Sequence, residues 1–385
     1  MRCNRCGNEN PALFYNDQGL VYCRKCIGFG RINIGEYPAA SRLSKRVWKG
    51  KPSLEYELTA PQKKASAAAL ESLKNGRDVF VYAATGAGKT EMTFESICFY
   101  LSQGKKVGFA ISRRQVVIEI AARLRKAFPE LSVIEVCQGY TDVLDADLIV
   151  CTTHQLYRYH QGFDLLILDE LDAFPYAGNA VLQRLAKDAC KGQKMLLSAT
   201  PDAQSLEAIE RKEMDLVQLF ERPHKHKLAE PKVMVLNESL QLVLAVYYCL
   251  KFKKEKKRVL LFVPRIADGP FVKRILSFFT SAYLISSKTE NKDEVMDRFR
   301  NMEFQVLIST TLLERGITVP SVQVVVLFGE HSVFTSASLI QIFGRVGRSF
   351  SDPDGMGVCL CSYKSKDIQE CCAQISMMNR TAFPA

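Results

Sequence analysis

Four groups of residues in this sequence have the types and spacing to do chemistry. The first is Ala84-Thr85-Gly86-Ala87-Gly88-Lys89-Thr90, which follows the apolar run Val79-Phe80-Val81-Tyr82 and precedes Glu91-Met92-Thr93-Phe94. A buried strand, a loop of small residues and a helix start form the context of a phosphate-binding loop. Small residues let backbone N–H groups curl around phosphates, and a helix N-terminus adds partial positive charge. The pattern predicts that Lys89 reaches the β- and γ-phosphates of ATP and that the Thr90 hydroxyl holds Mg²⁺. The strict motif opens with Gly where this chain has Ala83. A glycine-rich turn without a ligand is the alternative, and the Gly-Lys-Thr ending argues against it.

The second group, Asp169-Glu170-Leu171-Asp172, ends the apolar run Leu165-Leu166-Ile167-Leu168, 80 residues after Lys89. Hydrolysis of ATP needs one carboxylate for Mg²⁺ and a second to position and deprotonate the attacking water. Asp169 is expected in the first role and Glu170 in the second. The third group is Gln341-Ile342-Phe343-Gly344-Arg345-Val346-Gly347-Arg348. Its arginines, Arg345 and Arg348, are candidates to neutralise charge developing on the γ-phosphate, and Gln341 to orient the water. A structural salt-bridge role for these arginines is the alternative.

The fourth group is Cys3-x2-Cys6 and Cys23-x2-Cys26, separated by sixteen residues. This is four-thiolate zinc spacing with the loop of a zinc ribbon. Four protein ligands leave no open position, so the expected Zn²⁺ is structural. Thirty residues bury little core, so the metal is expected to make this piece fold. The flanking Arg2, Arg5, Arg24, Lys25 and Arg31 either contact phosphates or offset the negative charge of the thiolates. The finger itself is read as a grip on DNA or on a partner protein.

Residues 1–30 form the finger that carries the cysteines, with a hairpin around Leu13–Tyr15 and Gly19–Tyr22. Residues 31–57 form a basic connector with Arg31, Arg42, Lys45, Arg46, Lys49 and Lys51. It reads equally as a solvated linker or a phosphate-contacting arm. Trp48 within it either stacks on a base or docks on the next domain. Gln62, 27 residues before Lys89, enters an Ala-rich helix and is a candidate for the adenine edge, because a carboxamide both donates and accepts.

Strands are expected at 107–111, 133–136, 148–151, 165–170 and 194–197, the last ending in Ser198-Ala199-Thr200, with a helix over 115–128. Continuous apolar strands alternating with helices imply a parallel sheet covered on both faces, with ligands beyond its carboxyl ends. A polar stretch at about 202–232 is read as a separator. A second set then has strands at 259–263, 306–309 and 322–328 and helices at 291–302, at 336–343 and after 366. The basic run 251–258 is read as a solvated helix end. The fold class is therefore α/β: lobes at 58–222 and 223–385, behind the finger and connector.

The 385 residues, 47% hydrophobic and 24% charged, describe an ordinary globular chain rather than a disordered or fibrous one. A net charge of +11 favours a polyanionic partner, nucleic acid or an anionic membrane. The N-terminus lacks an apolar signal core, and no run approaches the roughly 18–20 apolar residues that span a bilayer. A cytosolic protein is expected, and its thirteen cysteines are not expected to form disulfides.

Motif by motif, the chain resembles superfamily 2 helicases. Ala84–Thr90, Asp169–Asp172, Ser198–Thr200 and Gln341–Arg348 are similar to motifs I, II, III and VI. Ser112-Arg113-Arg114 resembles motif Ia, Thr152-Thr153-His154-Gln155-Leu156 motif Ib, and Ser309–Gly316 motif V. The resemblance implies two tandem RecA-like lobes. It also implies nucleic-acid contacts at Arg113, Arg114, Thr153, Thr310 and Thr311, and a nucleotide contact at Gly316.

With its N-terminal four-cysteine finger, Thr-Thr-His-Gln-Leu and Leu-Leu-Glu-Arg-Gly, the chain most resembles the ComFA family of late-competence helicases. That implies ATP-driven import of single-stranded DNA at the inner membrane face, beside a ComEC-like channel and a ComFC-like partner. The helicase PriA has similar motifs but places its cysteines within the second lobe and has a much longer chain. DEAD-box RNA helicases have Ala and His where this chain has Leu171 and Gln341. The rival reading is a non-enzymatic zinc-finger adaptor with a decayed nucleotide fold, against which the intact Lys89, Asp169, Glu170, Arg345 and Arg348 stand.

Overall fold

The computed structural model describes residues 1–314, 319–350 and 352–384. The chain divides into two compact units, Met1–Ala83 with Lys89–Gln218, and Ala84–Gly88 with Leu219–Ala385.

The first unit begins with the finger, where β1 (Phe14–Asp17) and β2 (Leu20–Cys23) pair antiparallel with Phe14 opposite Cys23. The connector after it is a strap laid over the first unit. The backbone N–H groups of Ser41, Trp48 and Ser53 donate to the carbonyls of His160 (2.8 Å), Leu101 (3.1 Å) and Ala127 (2.7 Å). Trp48 is 6% exposed, its ring edge-on to Phe128 at 5.6 Å and its Nε1 donating to Glu130 at 2.8 Å. Docking, not stacking on a base, is its job. Arg46 pairs with Asp147 at 3.1 Å, while Arg42, Lys45 and Lys49 stay exposed. Neither a free linker nor a free arm describes this segment.

The sheet of this unit contains β3 (Asp78–Ala83), β4 (Val107–Ile111), β5 (Val133–Val136), β6 (Leu148–Thr152), β7 (Phe163–Asp169), β8 (Cys190–Ser198) and β9 (Met214–Leu219). Their order is β5-β6-β4-β7-β8-β3-β9, and the ladders from β5 to β3 are all parallel. All of β4 and β6 and five of the six residues of β3 are buried, which explains their unbroken apolar character. Helix Ala60–Lys74 starts with a reciprocal cap: the Thr59 hydroxyl accepts from Gln62 N, and Gln62 Oε1 accepts from Thr59 N. The expected separator at 202–232 holds helix Ala203–Glu210 and edge strand β9. Only alternate residues of β9, Val217 and Leu219, are buried, so it lacks the solid apolar run of the central strands.

The second unit contains β10 (Lys232–Val235), β11 (Arg258–Phe262), β12 (Ala282–Ile285), β13 (Val306–Ser309), β14 (Val322–Val326) and β15 (Gly357–Cys361). The order is β10-β15-β14-β11-β13-β12, parallel throughout. Helix Glu238–Lys254 ends in Lys251, Lys253 and Lys254, where cations meet the negative end of the helix dipole. The basic run continues into two structural roles. Lys257 pairs with Asp352, and the Arg258 guanidinium donates to the carbonyls of Phe299, Arg300 and Pro320. Among the described residues, no helix is long and apolar enough to cross a membrane.

Candidate functional site

The register of the first sheet places the chemistry. Tyr82 of β3 lies opposite Ser198 of β8, and Leu197 of β8 lies opposite Asp169 of β7. The phosphate loop, Ser198-Ala199-Thr200 and Asp169-Glu170 therefore leave three neighbouring strands at one carboxyl edge. Gly86 and Gly88 both have φ of +81°, a left-handed backbone that a side chain would strain. Lys89 and Thr90 open the short helix Lys89–Met92, and Thr90 is buried. Asp169 is 8% exposed, and its Oδ1 accepts from Glu170 N at 2.8 Å. Glu170 itself has φ of +55°, so the chain turns sharply between the two carboxylates. Gln62, the candidate for adenine, is buried with its carboxamide oxygen in the helix cap.

On the other side of β7 the same edge carries the expected nucleic-acid residues of this unit. Ile111 of β4 lies opposite Thr152 of β6, so Arg113-Arg114 and the 3-10 helix Thr153–Arg158 leave adjacent strand ends. Arg113 is half-buried and Arg114 exposed. Arg114 Nε donates to the Gln138 carbonyl at 2.9 Å, and its guanidinium sits 5.5 Å over the Tyr140 ring. The Thr153 hydroxyl is buried, so the backbone and later residues of that helix form its outer surface.

In the second unit, Thr310 and Thr311 follow β13, and Gly316 lies outside the described residues. Gln341 lies in the last turn of helix Ser336–Phe343, buried, and Arg345 is 3% exposed. Arg348 Nε donates to the Gly344 carbonyl at 2.9 Å. The turn that carries these arginines is held by Arg222, which is 1% exposed. Its guanidinium donates to the carbonyls of Gly344 (2.8 Å), Val346 (2.7 Å) and Gly347 (2.9 Å). Burial, then the charge of Arg348, pushes its pKa down to about 9.

In the finger, the sulfurs of Cys3, Cys6, Cys23 and Cys26 all lie within 4.8 Å of one another, with Cys3–Cys26 and Cys6–Cys23 at 3.7 Å. A tetrahedral zinc with bonds of about 2.3 Å requires sulfurs roughly 3.8 Å apart, so the four thiols fit one ion. Arg5 Nη2 donates to Cys26 Sγ at 3.3 Å, an outer-shell contact of the kind that steadies a thiolate ligand. Hydrogen bonds from Cys6 and then Arg5 pull the Cys26 thiol below its ordinary pKa. Of the flanking cations, Arg5 thus serves the thiolates, and Arg31 pairs with Asp17 at 2.7 Å.

Residues 1–36 match the family model of the competence protein ComFA N-terminal domain, 59–209 that of DEAD/DEAH box helicases, and 239–350 that of the helicase conserved C-terminal domain. The competence protein ComFA of Bacillus subtilis strain 168 is 34% identical across 99% of this chain and 86% of that protein. Its counterpart in Streptococcus pneumoniae R6 is 33% identical across 99% and 90%. This chain belongs to the ComFA family. Its two helicase domains make it an ATP-hydrolysing helicase that binds nucleic acid. Among solved structures, Saccharomyces cerevisiae Dbp5 bound to RNA and ADP BeF3 superposes with a TM-score of 0.58 at 18% identity, over 83% of this chain and 91% of that one. RecG bound to a three-way DNA junction gives 0.59 at 20%, over 84% and 45%. These likenesses show the two-lobed helicase fold.

Two residues of this ComFA-family chain, Asp172 and Arg222, gain roles that the motifs alone left unassigned, and Arg5 gains backbone contacts at Cys26, Phe29 and Gly30 beside its expected place near the thiolates. Asp172 accepts from Ser198 Oγ at 2.9 Å and Thr200 Oγ1 at 2.5 Å, joining the acidic motif to Ser198-Ala199-Thr200. The hydroxyl residues at 198 and 200 were the available signal. Arg222 and Arg5 act on backbone carbonyls, which leave no mark in a sequence.

Proposed function

We propose that this ComFA-family helicase uses ATP to move along single-stranded DNA and works in DNA uptake during competence. The observation that carries the reading is the single carboxyl edge of the first sheet. Strands β6 and β4 present Thr153–Arg158 and Arg113-Arg114, while β7, β8 and β3 present the acids, Ser198–Thr200 and the phosphate loop. With strands about 4.8 Å apart, strand grip and ATP lie roughly 20 Å from each other on one rigid sheet. A change at the γ-phosphate is therefore transmitted through paired strands.

In this reading Lys89 and the amides of Ala84–Gly88 bind the phosphates, and Gln62 meets the adenine. Mg²⁺, held through the hard oxygens of Thr90 and Asp169, supplies charge neutralisation. Glu170 takes the proton of the attacking water. Arg345 and Arg348 balance charge on the γ-phosphate, with Gln341 orienting the water. Arg113, Arg114, the 153–158 segment, Thr310 and Thr311 grip the DNA backbone. Family membership supports a ComFC-like partner and a ComEC-like channel at the membrane face.

The test is ATP turnover measured with single-stranded DNA, duplex DNA, RNA and no nucleic acid. Strongest stimulation by single-stranded DNA is expected. Stronger stimulation by RNA would overturn the DNA assignment, and no turnover under any condition would favour the adaptor.

A further inference from the structure

We infer that the finger acts on the strand site through Phe29, a positioning residue whose ring holds the 153–158 helix in place. The inference rests on the proposal that this helix lies in the nucleic-acid grip.

The finger's own geometry leads to Phe29. Arg5 is 8% exposed, and its guanidinium donates to the carbonyls of Cys26 (2.8 Å), Phe29 (2.8 Å) and Gly30 (2.5 Å) as well as to Cys26 Sγ. One buried side chain thus fixes the turn 26–30 directly to a metal-ligand corner. The short 3-10 helix Ile27–Phe29 in that turn aims the Phe29 ring at the first sheet's domain. There it meets Tyr157, centroids 5.4 Å apart, and His154 at 6.3 Å. The four cysteines and Ile32 belong to the same buried apolar cluster as Leu156, Tyr159 and Leu185. The finger is therefore seated on the unit that carries the strand-end motifs.

The target helix is held from several sides. Its own Leu156 and its cap residue Tyr159 are buried in the cluster with Leu185, and Gln161 N donates to the Asp188 carbonyl of helix Ala180–Ala189 at 2.7 Å. The strap closes its far end: Ser41 Oγ donates to the Arg158 carbonyl at 2.9 Å, and Ser41 N donates to that of His160. Phe29 covers the outward side chains at 154 and 157. Of these supports, it is the one that belongs to a piece too small to fold without its metal-ligand corner. Loss of the metal therefore removes that support while leaving the sheet intact. A six-residue 3-10 helix has weak hydrogen bonding of its own and depends on such packing.

The experiment uses the full chain with Phe29→Ala, Tyr157→Ala, the double variant, and Phe29→Tyr as the conservative control. Zinc content, ATP affinity, affinity for labelled oligo(dT), and hydrogen exchange at 153–158 are measured. Phe29→Ala should keep one zinc per chain and normal ATP affinity. It should bind oligo(dT) roughly tenfold more weakly and exchange faster at 153–158. Phe29→Tyr should restore both, and the double variant should lose little more than either single one, as for residues acting through one contact. If Phe29→Ala releases zinc, Tyr157→Ala carries the test from the other side of the contact. Unchanged exchange at 153–158 in zinc-loaded Phe29→Ala and in Tyr157→Ala would overturn the inference. So would weaker DNA binding without that change, since the finger would then touch DNA itself. Faster exchange with unchanged DNA affinity would instead remove the 153–158 helix from the strand site, and the underlying reading with it.

Discussion

The two sheets share a parallel plan, from β5 to β3 in the first and throughout in the second, but hold their functional residues by different means. In the first, side chains from successive strand ends meet at one edge, and the register of β3, β8 and β7 fixes their spacing. In the second, the arginines sit on one tight turn after helix Ser336–Phe343, and that turn is fixed by Arg222 through three backbone carbonyls. A site set by sheet register is rigid because every ladder bond supports it. A site set mainly by one guanidinium, with Arg348 Nε and a few turn bonds beside it, has fewer supports, so it is more easily moved and more easily broken.

The comparison breaks most sharply at Glu170. Glu170→Gln removes the proton acceptor without changing shape, and turnover should fall roughly 10²–10⁴-fold while ATP binding persists. Turnover near that of the unaltered protein, alongside normal nucleotide binding, would take Glu170 out of the chemistry. Next comes Arg222→Lys. An ammonium cannot serve three divergent carbonyls as a planar guanidinium does, so the turn bearing Arg345 and Arg348 should shift. Turnover should fall on the order of 10- to 100-fold, and ATP affinity should weaken by less, through the one bond from Arg222 Nε to the Thr85 carbonyl of the phosphate loop at 2.9 Å. An equal loss of affinity and turnover would mean that Arg222 supports the fold rather than the turn.

Asp172→Asn probes the first lobe's internal wiring. It replaces a carboxylate that accepts from Ser198 and Thr200. The expected cost is about 1–2 kcal/mol of stability, read as a lower Tm, with most basal turnover kept. The smallest effect on basal turnover belongs to the finger. Cys23→Ser with Cys26→Ser should release zinc and unfold the first thirty residues. ATP hydrolysis without DNA should stay within about twofold, because the lobes have their own core, while DNA-stimulated turnover drops. Absence of stoichiometric zinc in the unaltered protein would refute the metal assignment.

How much of this was legible depended on where each signal was written. Central strands such as Val79–Tyr82 and Leu165–Leu168 are buried on both faces and declare themselves as unbroken apolar runs. The four-residue edge strands β10 and β12 are too short to do so, and β15, Gly357–Cys361, is weakened by Gly and Cys. Helix Glu238–Lys254 was unreadable for the opposite reason. Leu240, Val243 and Tyr247 are exposed while Ala245, Tyr248 and Phe252 are buried, so it is apolar all round and shows no 3.6-residue period. The capping partnership of Thr59 and Gln62 is written in the sequence as Thr-x-x-Gln, a structural job for Gln62 beside the adenine contact proposed for it. Arg222 stood among His224, Lys225, His226 and Lys227 in a stretch read as polar separator. Composition cannot tell which cation in such a run is the buried one.

Trp48 has a use beyond packing. It is the only tryptophan in the chain, so emission excited at the red edge, where the fourteen tyrosines do not absorb, comes from one indole pinned between Phe128 and Glu130. That makes the fluorescence a gauge of one event, the seating of the strap. Chelation that melts the finger while the strap stays down would leave the spectrum nearly still. A peeling strap would shift it toward the red as water reached the ring. A single cuvette can therefore tell a lost finger from a lost strap without any label.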